Sequence, residues 1–475
     1  MQQLKPNLGL PSLIAMVLLA YCSAIILPAF NADDVIQTQA ISGDYNTFLS
    51  QGRWGYYIIY AIISGANPLG PAGFVFGLVI LSSAMYLASK LLNFKSQFAE
   101  LAFVLIASIS LYYSSVFSFD STRLAYPLAV LLAILGVQLT IRNRFLLAII
   151  CFAVSPSMYP SSTQVALTLG CAFAMFAAKR STSEPITFLF KLAIFIALGL
   201  IIYVLSTHFV AHLKGIPLSG RSAVDPIGAL KNFDRITKLF LGHSLPSGYQ
   251  LPYFNKALIV ITSGLMLLFA LAVAVSLPVT RIPLALLIFA GLICSPYALA
   301  FATPLDEFSP RALIAFSIVH ATFAAFAIET FEFKKVKIAA YTTAIAALSY
   351  LGITSVQINA SAFDEYLSSR NDVLYTSRII QKIDDVISGS SIPMSGPIPI
   401  AVRFKTPYSS SPSGEPATAR SAPWSKEWIF RQVDPRFSPV GPEVAEDLLS
   451  DAPDVAYPDS RSVYIKDGAV VVVIN

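Results

Sequence analysis

The sequence predicts an all-α polytopic membrane protein with about eleven transmembrane helices and a small α/β C-terminal domain. Three observations carry that expectation. Hydrophobic residues fill 55% of the chain and charged ones only 12%, where a soluble domain carries about 25% charged residues. The apolar residues come in blocks of roughly 15 to 23, close to the ~20 that a helix needs to cross ~30 Å of hydrocarbon. Basic residues fall on alternate turns between the blocks, as the positive-inside rule requires.

Spans are expected near 11–29, 70–92, 98–117, 124–141, 145–159, 162–178, 186–207, 257–279, 283–302, 311–330 and 336–356. The first block, Leu10 to Ala29, follows Lys5 like a signal peptide but exceeds the usual ~7 to 15 apolar residues, so it reads as a retained helix. With the N-terminus inside, the cytoplasmic turns hold Lys90 and Lys95, Arg142 and Arg144, Lys179 and Arg180, Arg281, and Lys334, Lys335 and Lys337. The apolar stretch from Trp54 to Gly65 is too short to cross, and a crossing there would turn every later basic loop outward. It reads as an interfacial or re-entrant helix. The span Phe145 to Tyr159 is also short and ends in SPSMYPSS, whose prolines break helices. The four cysteines, Cys22, Cys151, Cys171 and Cys294, all lie in apolar blocks, so no extracytoplasmic disulfide and no Cys-based metal site is expected.

A transmembrane domain is thus expected over 1–356, with outside loops 30–69, 118–123, 156–162, 208–256 and 303–310, and a periplasmic C-terminal domain over 357–475. In the tail, Phe363 to Ile387 has helical apolar spacing, PIPIAVRF reads as a strand, and SVYIKDGAVVVVIN as a hairpin about Lys466-Asp467-Gly468. The net charge of +5 is spread over loops as a topology signal and does not point to nucleic acid. No P-loop and no dinucleotide fingerprint occurs.

The unusual chemistry sits on the outside. Asp33 and Asp34 follow the first helix directly; they read either as a solvated helix end or as a general base able to take a proton from a sugar hydroxyl. Their mutual repulsion would raise one of the two pKa values. Short outside loops set an acid beside an arginine, Asp120 with Arg123 in FSFDSTR and Asp306 and Glu307 with Arg311 in TPLDEFSPR, and Arg53 adds a third guanidinium. Outside arginines run against the topological trend, and arginine grips phosphate bidentately, so a lipid-linked phosphate competes with a plain ion pair as the explanation. The basic loop 208–256, with Arg221, Arg235 and His243, is long enough to act as a lid over a phosphate or to serve as a connector. Tyr159 and Gln164 offer uncharged hydrogen bonds near a helix break, suited to a sugar pocket or, for Tyr159, to the aromatic belt. His208, His212 and His320 lack ligand spacing with acids, so no metal and no other cofactor is expected.

The acid pair outside the first helix, the Gly-Arg-Trp before the interfacial helix, the Phe-Asp-Ser-Thr-Arg loop and the Tyr-to-Gln turn, in that order, resemble the type II O-antigen glucosyl transferase family. The resemblance covers roughly residues 10 to 360. It implies a GT-C-class enzyme of the bacterial inner membrane, inverting at the anomeric carbon. The implied donor is a polyprenyl-phosphate sugar, typically undecaprenyl phosphate glucose, and the implied acceptor is a periplasmic O-antigen repeat. Asp33 or Asp34 would be the base; Arg53, Arg123 and Arg311 would hold the lipid phosphate; Asp120, Tyr159, Gln164, Arg221, Arg235 and His243 would line the sugar and acceptor pocket. Partners implied are membrane lipids, a flippase and a lipid-glucosyl synthase. One departure stands: Gln37 occupies the stretch after the acids where a basic residue is looked for, and none occurs before Arg53. The rival classes are a polysaccharide or lipid transporter, which would keep ionisable groups at mid-membrane depth, and an O-antigen polymerase or ligase built on one very large outside loop.

Overall fold

A computed structural model describes residues 9–30, 32, 34–35, 46–63, 69–219, 256–301, 310–390, 396–404, 422 and 425–474. The chain is mostly helical. It divides into two compact units, Met1–Ile26 with Asp44–Ala360, and Leu27–Gly43 with Ser361–Asn475.

Seven described helices are long and apolar enough to cross a membrane: Gly70–Leu92, Thr122–Ile141, Ser183–Lys214, Lys256–Ser276, Val279–Leu299, Phe316–Phe333 and Lys337–Ser388. An eighth arises if Gln97–Ser108 and Leu111–Phe117, bent by 41°, form one broken span. Leu10–Ala20, Phe145–Met158 and Ser162–Ala178 are shorter apolar helices. Each block expected to span therefore carries a helix, while length and apolar character alone qualify fewer than the eleven expected. Trp54–Ile63 is a helix of 10 residues, as short as its sequence implied. In the first unit Phe316–Phe333 is the central element, with 83% of its apolar window buried; Phe326 and Phe331 are almost fully enclosed.

Two elements depart from the sequence expectation, each for a visible reason. The span expected at 98–117 breaks at Ile109 and Ser110, and a tyrosine supplies the partners that the broken backbone loses. Tyr21 Oη lies 3.2 Å from the Ser108 carbonyl and 3.1 Å from that of Ser110, and accepts the Ser110 N–H at 3.2 Å. Without water in hydrocarbon, non-helical backbone survives only where protein groups satisfy it. The second departure is the tail: the last span and the expected amphipathic helix are one helix of 52 residues, Lys337–Ser388. No glycine or proline interrupts residues 353–388, so nothing local stops the helix where the composition turns polar. Asn359, at that turn in composition, donates to the Ala20 and Ser355 carbonyls, both at 2.8 Å, and accepts the Ser23 N–H at 2.7 Å.

The second unit contains a four-stranded sheet in the order β2-β1-β4-β3, with β1 Ile398–Phe404, β2 Phe437–Pro439, β3 Val463–Lys466 and β4 Ala469–Ile474. β1 pairs in parallel with β2 and β4, while β3 and β4 form the expected hairpin. Its turn places Asp467 at φ 51 and Gly468 at φ 75, the paired left-handed residues of a tight hairpin connection. β4 is buried throughout. Val470, Val472 and Ile474 pack with Ile379, Ile383 and Val35, and Val471 packs with Ala401 and Leu448 on the other face. Both faces are covered, which is why this strand is an unbroken valine run.

Candidate functional site

The helices of the first unit gather two polar clusters at opposite helix ends. The N-terminal ends of Gly70–Leu92, Thr122–Ile141, Ser162–Ala178 and Phe316–Phe333 lie beside Gly70, Arg123, Gln164 and Arg311, most of the residues expected outside. Lys90, Lys179 and Glu329 occur at the C-terminal ends of three of the same helices.

At the first end, the Arg53 guanidinium lies over the Tyr159 ring, 4.8 Å from its centroid. Tyr159 ends the helix Phe145–Met158 in extended backbone, between Pro156 and Pro160, so its ring is fixed by the break that the sequence announced. That ring meets Tyr126 at a 4.3 Å centroid distance. The Tyr126 hydroxyl donates to the Arg311 carbonyl at 3.1 Å and lies 2.8 Å from Ser161 Oγ. The Arg311 guanidinium in turn covers the Phe119 ring at 4.1 Å, next in chain to Asp120. Asp120 forms an ion pair with Arg123. Arg53, Tyr159, Arg311, Asp120 and Arg123 are thus one contiguous cluster, linked through Tyr126 and Phe119.

The three arginines differ in what holds them. Arg123 is buried, its Nε donating to the Phe117 carbonyl at 3.0 Å and its Nη1 to the Gly70 carbonyl at 3.2 Å and to Asp120. Gly77 lets its helix come close here, since a Cβ would collide with the Arg123 carbonyl. Arg53 keeps a buried Nε without a hydrogen-bond partner. Gln164 is fully buried, and neither its Oε1 nor its Nε2 has a partner. Such groups carry the full cost of desolvation, about 1–3 kcal/mol each. Asp120 and Ser121 also line a shallow open cleft with Ile59, Tyr60, Leu69, Leu124 and Ala125.

Asp34 is buried, at 3% exposure, and its segment, residues 27–43, belongs to the second compact unit. The acid pair and the arginine cluster therefore fall in different units. Asp33, Arg221, Arg235 and His243 lie outside the described residues, as do Gln37, Asp306 and Glu307. Among the described residues no group of three or more His, Cys, Asp or Glu could hold a metal ion. His320 is buried, its Nδ1 3.2 Å from the Tyr350 hydroxyl. Sequence reasoning missed Tyr126 and Phe119, the two rings that join the cluster. Both are aromatic residues in apolar surroundings, indistinguishable in sequence from packing residues.

Residues 23–328 match the family model described as glucosyl transferase GtrII. Neither the curated proteins nor the solved structures give a match.

Proposed function

The chain belongs to the glucosyl transferase GtrII family, and from that premise we propose that it moves glucose from a polyprenyl-phosphate donor to an O-antigen acceptor, inverting the anomeric centre. The reaction belongs to the periplasmic face of a bacterial inner membrane, with the N-terminus cytoplasmic and the C-terminal unit periplasmic. The observation that carries this reading is the contiguous arginine cluster at one set of helix ends of a glucosyl transferase family member.

The acceptor oxygen forms its bond to C1 as the C1–O bond to the lipid phosphate breaks. A carboxylate of the pair Asp33/Asp34 takes the acceptor proton. The departing phosphate diester becomes a monoester anion and needs charge stabilisation more than protonation, which guanidinium groups provide. Arg53 and Arg311 face the phosphate in this reading. Arg123, held by two carbonyls and Asp120, contributes its charge from behind them. Tyr159 and Gln164 hold sugar hydroxyls, and Asp120, Arg221, Arg235 and His243 complete the acceptor side.

The test is Asp33→Asn, Asp34→Asn and the double variant in cells, read by mass spectrometry of the lipopolysaccharide. Hexose addition is expected to vanish in the double variant and in one single variant, with normal amounts of protein in the membrane. Unchanged addition in all three would remove the base assignment.

A further inference from the structure

The backbone around Arg53 is shaped by residues far away in sequence. Gly52 adopts φ 75, in the left-handed region that side chains other than glycine enter only with strain. It rests against the last turns of the helix Ser183–Lys214: a Cβ at Gly52 would come 2.9 Å from Tyr203 Oη and 3.1 Å from Thr207 Cγ2. The Thr207 hydroxyl donates to the Gly52 carbonyl at 3.5 Å. On the other side of Arg53, the Trp54 indole N–H donates to Ser206 Oγ at 3.1 Å. The Ser50 carbonyl accepts the backbone N–H of Ser219 at 2.9 Å, just past the end of that helix. At 32 residues the helix is about 48 Å long, more than the ~30 Å of hydrocarbon, so its length suffices to carry these last turns beyond the apolar layer.

Among the described residues the Arg53 side chain has no comparable anchor. It touches the Tyr159 ring, and its buried Nε has no hydrogen-bond partner. Its direction follows from its backbone, whose N–H donates to the Phe48 carbonyl at 2.8 Å and whose two flanking residues are fastened to one helix end. We propose that Ser206 and Thr207, acting through Trp54 and Gly52, are positioning residues that hold Arg53 in the pose that binds the donor phosphate. This rests on the reading of Arg53 as a phosphate contact. Neither Ser206 nor Thr207 meets the substrate; both act on it through the backbone of Arg53.

The experiment measures transfer by membranes containing the full chain, with undecaprenyl phosphate glucose as donor and unmodified O-antigen as acceptor. Arg53→Ala is expected to raise the donor KM about 10- to 100-fold. Ser206→Ala, which removes the indole's acceptor, is expected to raise the donor KM about tenfold while kcat and the acceptor KM stay put. Ser206→Thr, which restores a hydroxyl, returns the donor KM to the native value. In the double variant Arg53→Ala/Ser206→Ala the donor KM matches that of Arg53→Ala alone, because a seat without its occupant has nothing to position. A donor KM unaffected by Ser206→Ala while Arg53→Ala raises it would overturn the seat and leave the phosphate contact standing, as would additive effects. A native donor KM in Arg53→Ala would remove the phosphate contact and the seat together.

Discussion

The two ends of the first unit use charge in opposite ways. At the lysine end Lys90, Lys179 and Arg281 are held by partners. Lys179 donates to Thr330 Oγ1 at 3.0 Å, sits 3.9 Å from Glu329, and lies over the Phe326 ring at 3.8 Å. Glu329 also accepts the Lys95 N–H at 2.9 Å, Lys90 pairs with Glu100, and Arg281 donates to the Ala178 carbonyl at 3.0 Å. At the arginine end, Arg123 is similarly occupied, but the Arg53 Nε and both amide atoms of Gln164 are buried without partners. A closed network fastens helices together. An open one at comparable depth keeps an unfavourable desolvation term unless something else supplies the missing partner.

This contrast can be broken by substitution. Lys179→Met should lower the stability of the purified protein by about 2 kcal/mol, less than the ~3–5 of a fully buried pair because 21% of the Lys179 side chain reaches solvent. Thermal unfolding in detergent measures it, and glucose transfer per folded molecule should hold; a changed donor KM would end the assignment of this end to structure. Gln164→Met should do the reverse. Removing two unpartnered buried atoms without a change of shape should stabilise by about 1–2 kcal/mol, while transfer falls at least about tenfold. A variant both more stable and fully active would show that Gln164 binds nothing.

The smallest effect is expected in the second unit, where the same burial argument is read through pH. Burial raises the pKa of Glu427, whose Oε1 accepts the Val402 N–H at 3.3 Å and faces Lys426 at 3.4 Å. A raised carboxyl pKa means that the folded unit binds more protons, so its contribution is full below the unfolded value of 4.5 and is lost as pH climbs through the folded one. Relative to its value at pH 4, the stability of Glu427→Gln over the native chain should therefore grow toward neutrality. Limited proteolysis of the second unit across that range measures the trend, and a flat difference would refute it.

Much of this arrangement was legible in the chain. Hydropathy blocks marked helices, because membrane burial is a property of some twenty consecutive residues. The turn at Asp467-Gly468 and the valine run after it announced the hairpin for an equally local reason. The order of the Asp-Asp, Gly-Arg-Trp, Phe-Asp-Ser-Thr-Arg and Tyr-to-Gln motifs pointed to the family that the match over residues 23–328 establishes. The break inside the apolar stretch 98–117 was not legible: Tyr21, at the end of another helix, and Ser110 Oγ, which accepts the Tyr112 N–H, together make the interruption tolerable.

From sequence alone, then, came the apolar helices, the C-terminal hairpin and the residue types able to hold phosphate and move a proton. Tertiary structure decided which of those residues have partners: Arg123 is enclosed by carbonyls from Phe117 and Gly70, Arg53 is propped by a helix about 150 residues further on, and Asp34 belongs to the unit that holds the C-terminal sheet. The physical reason is range. Hydropathy and turn chemistry act between neighbours in the chain, whereas a guanidinium is committed or left open by carbonyls, rings and hydroxyls that only folding brings to it.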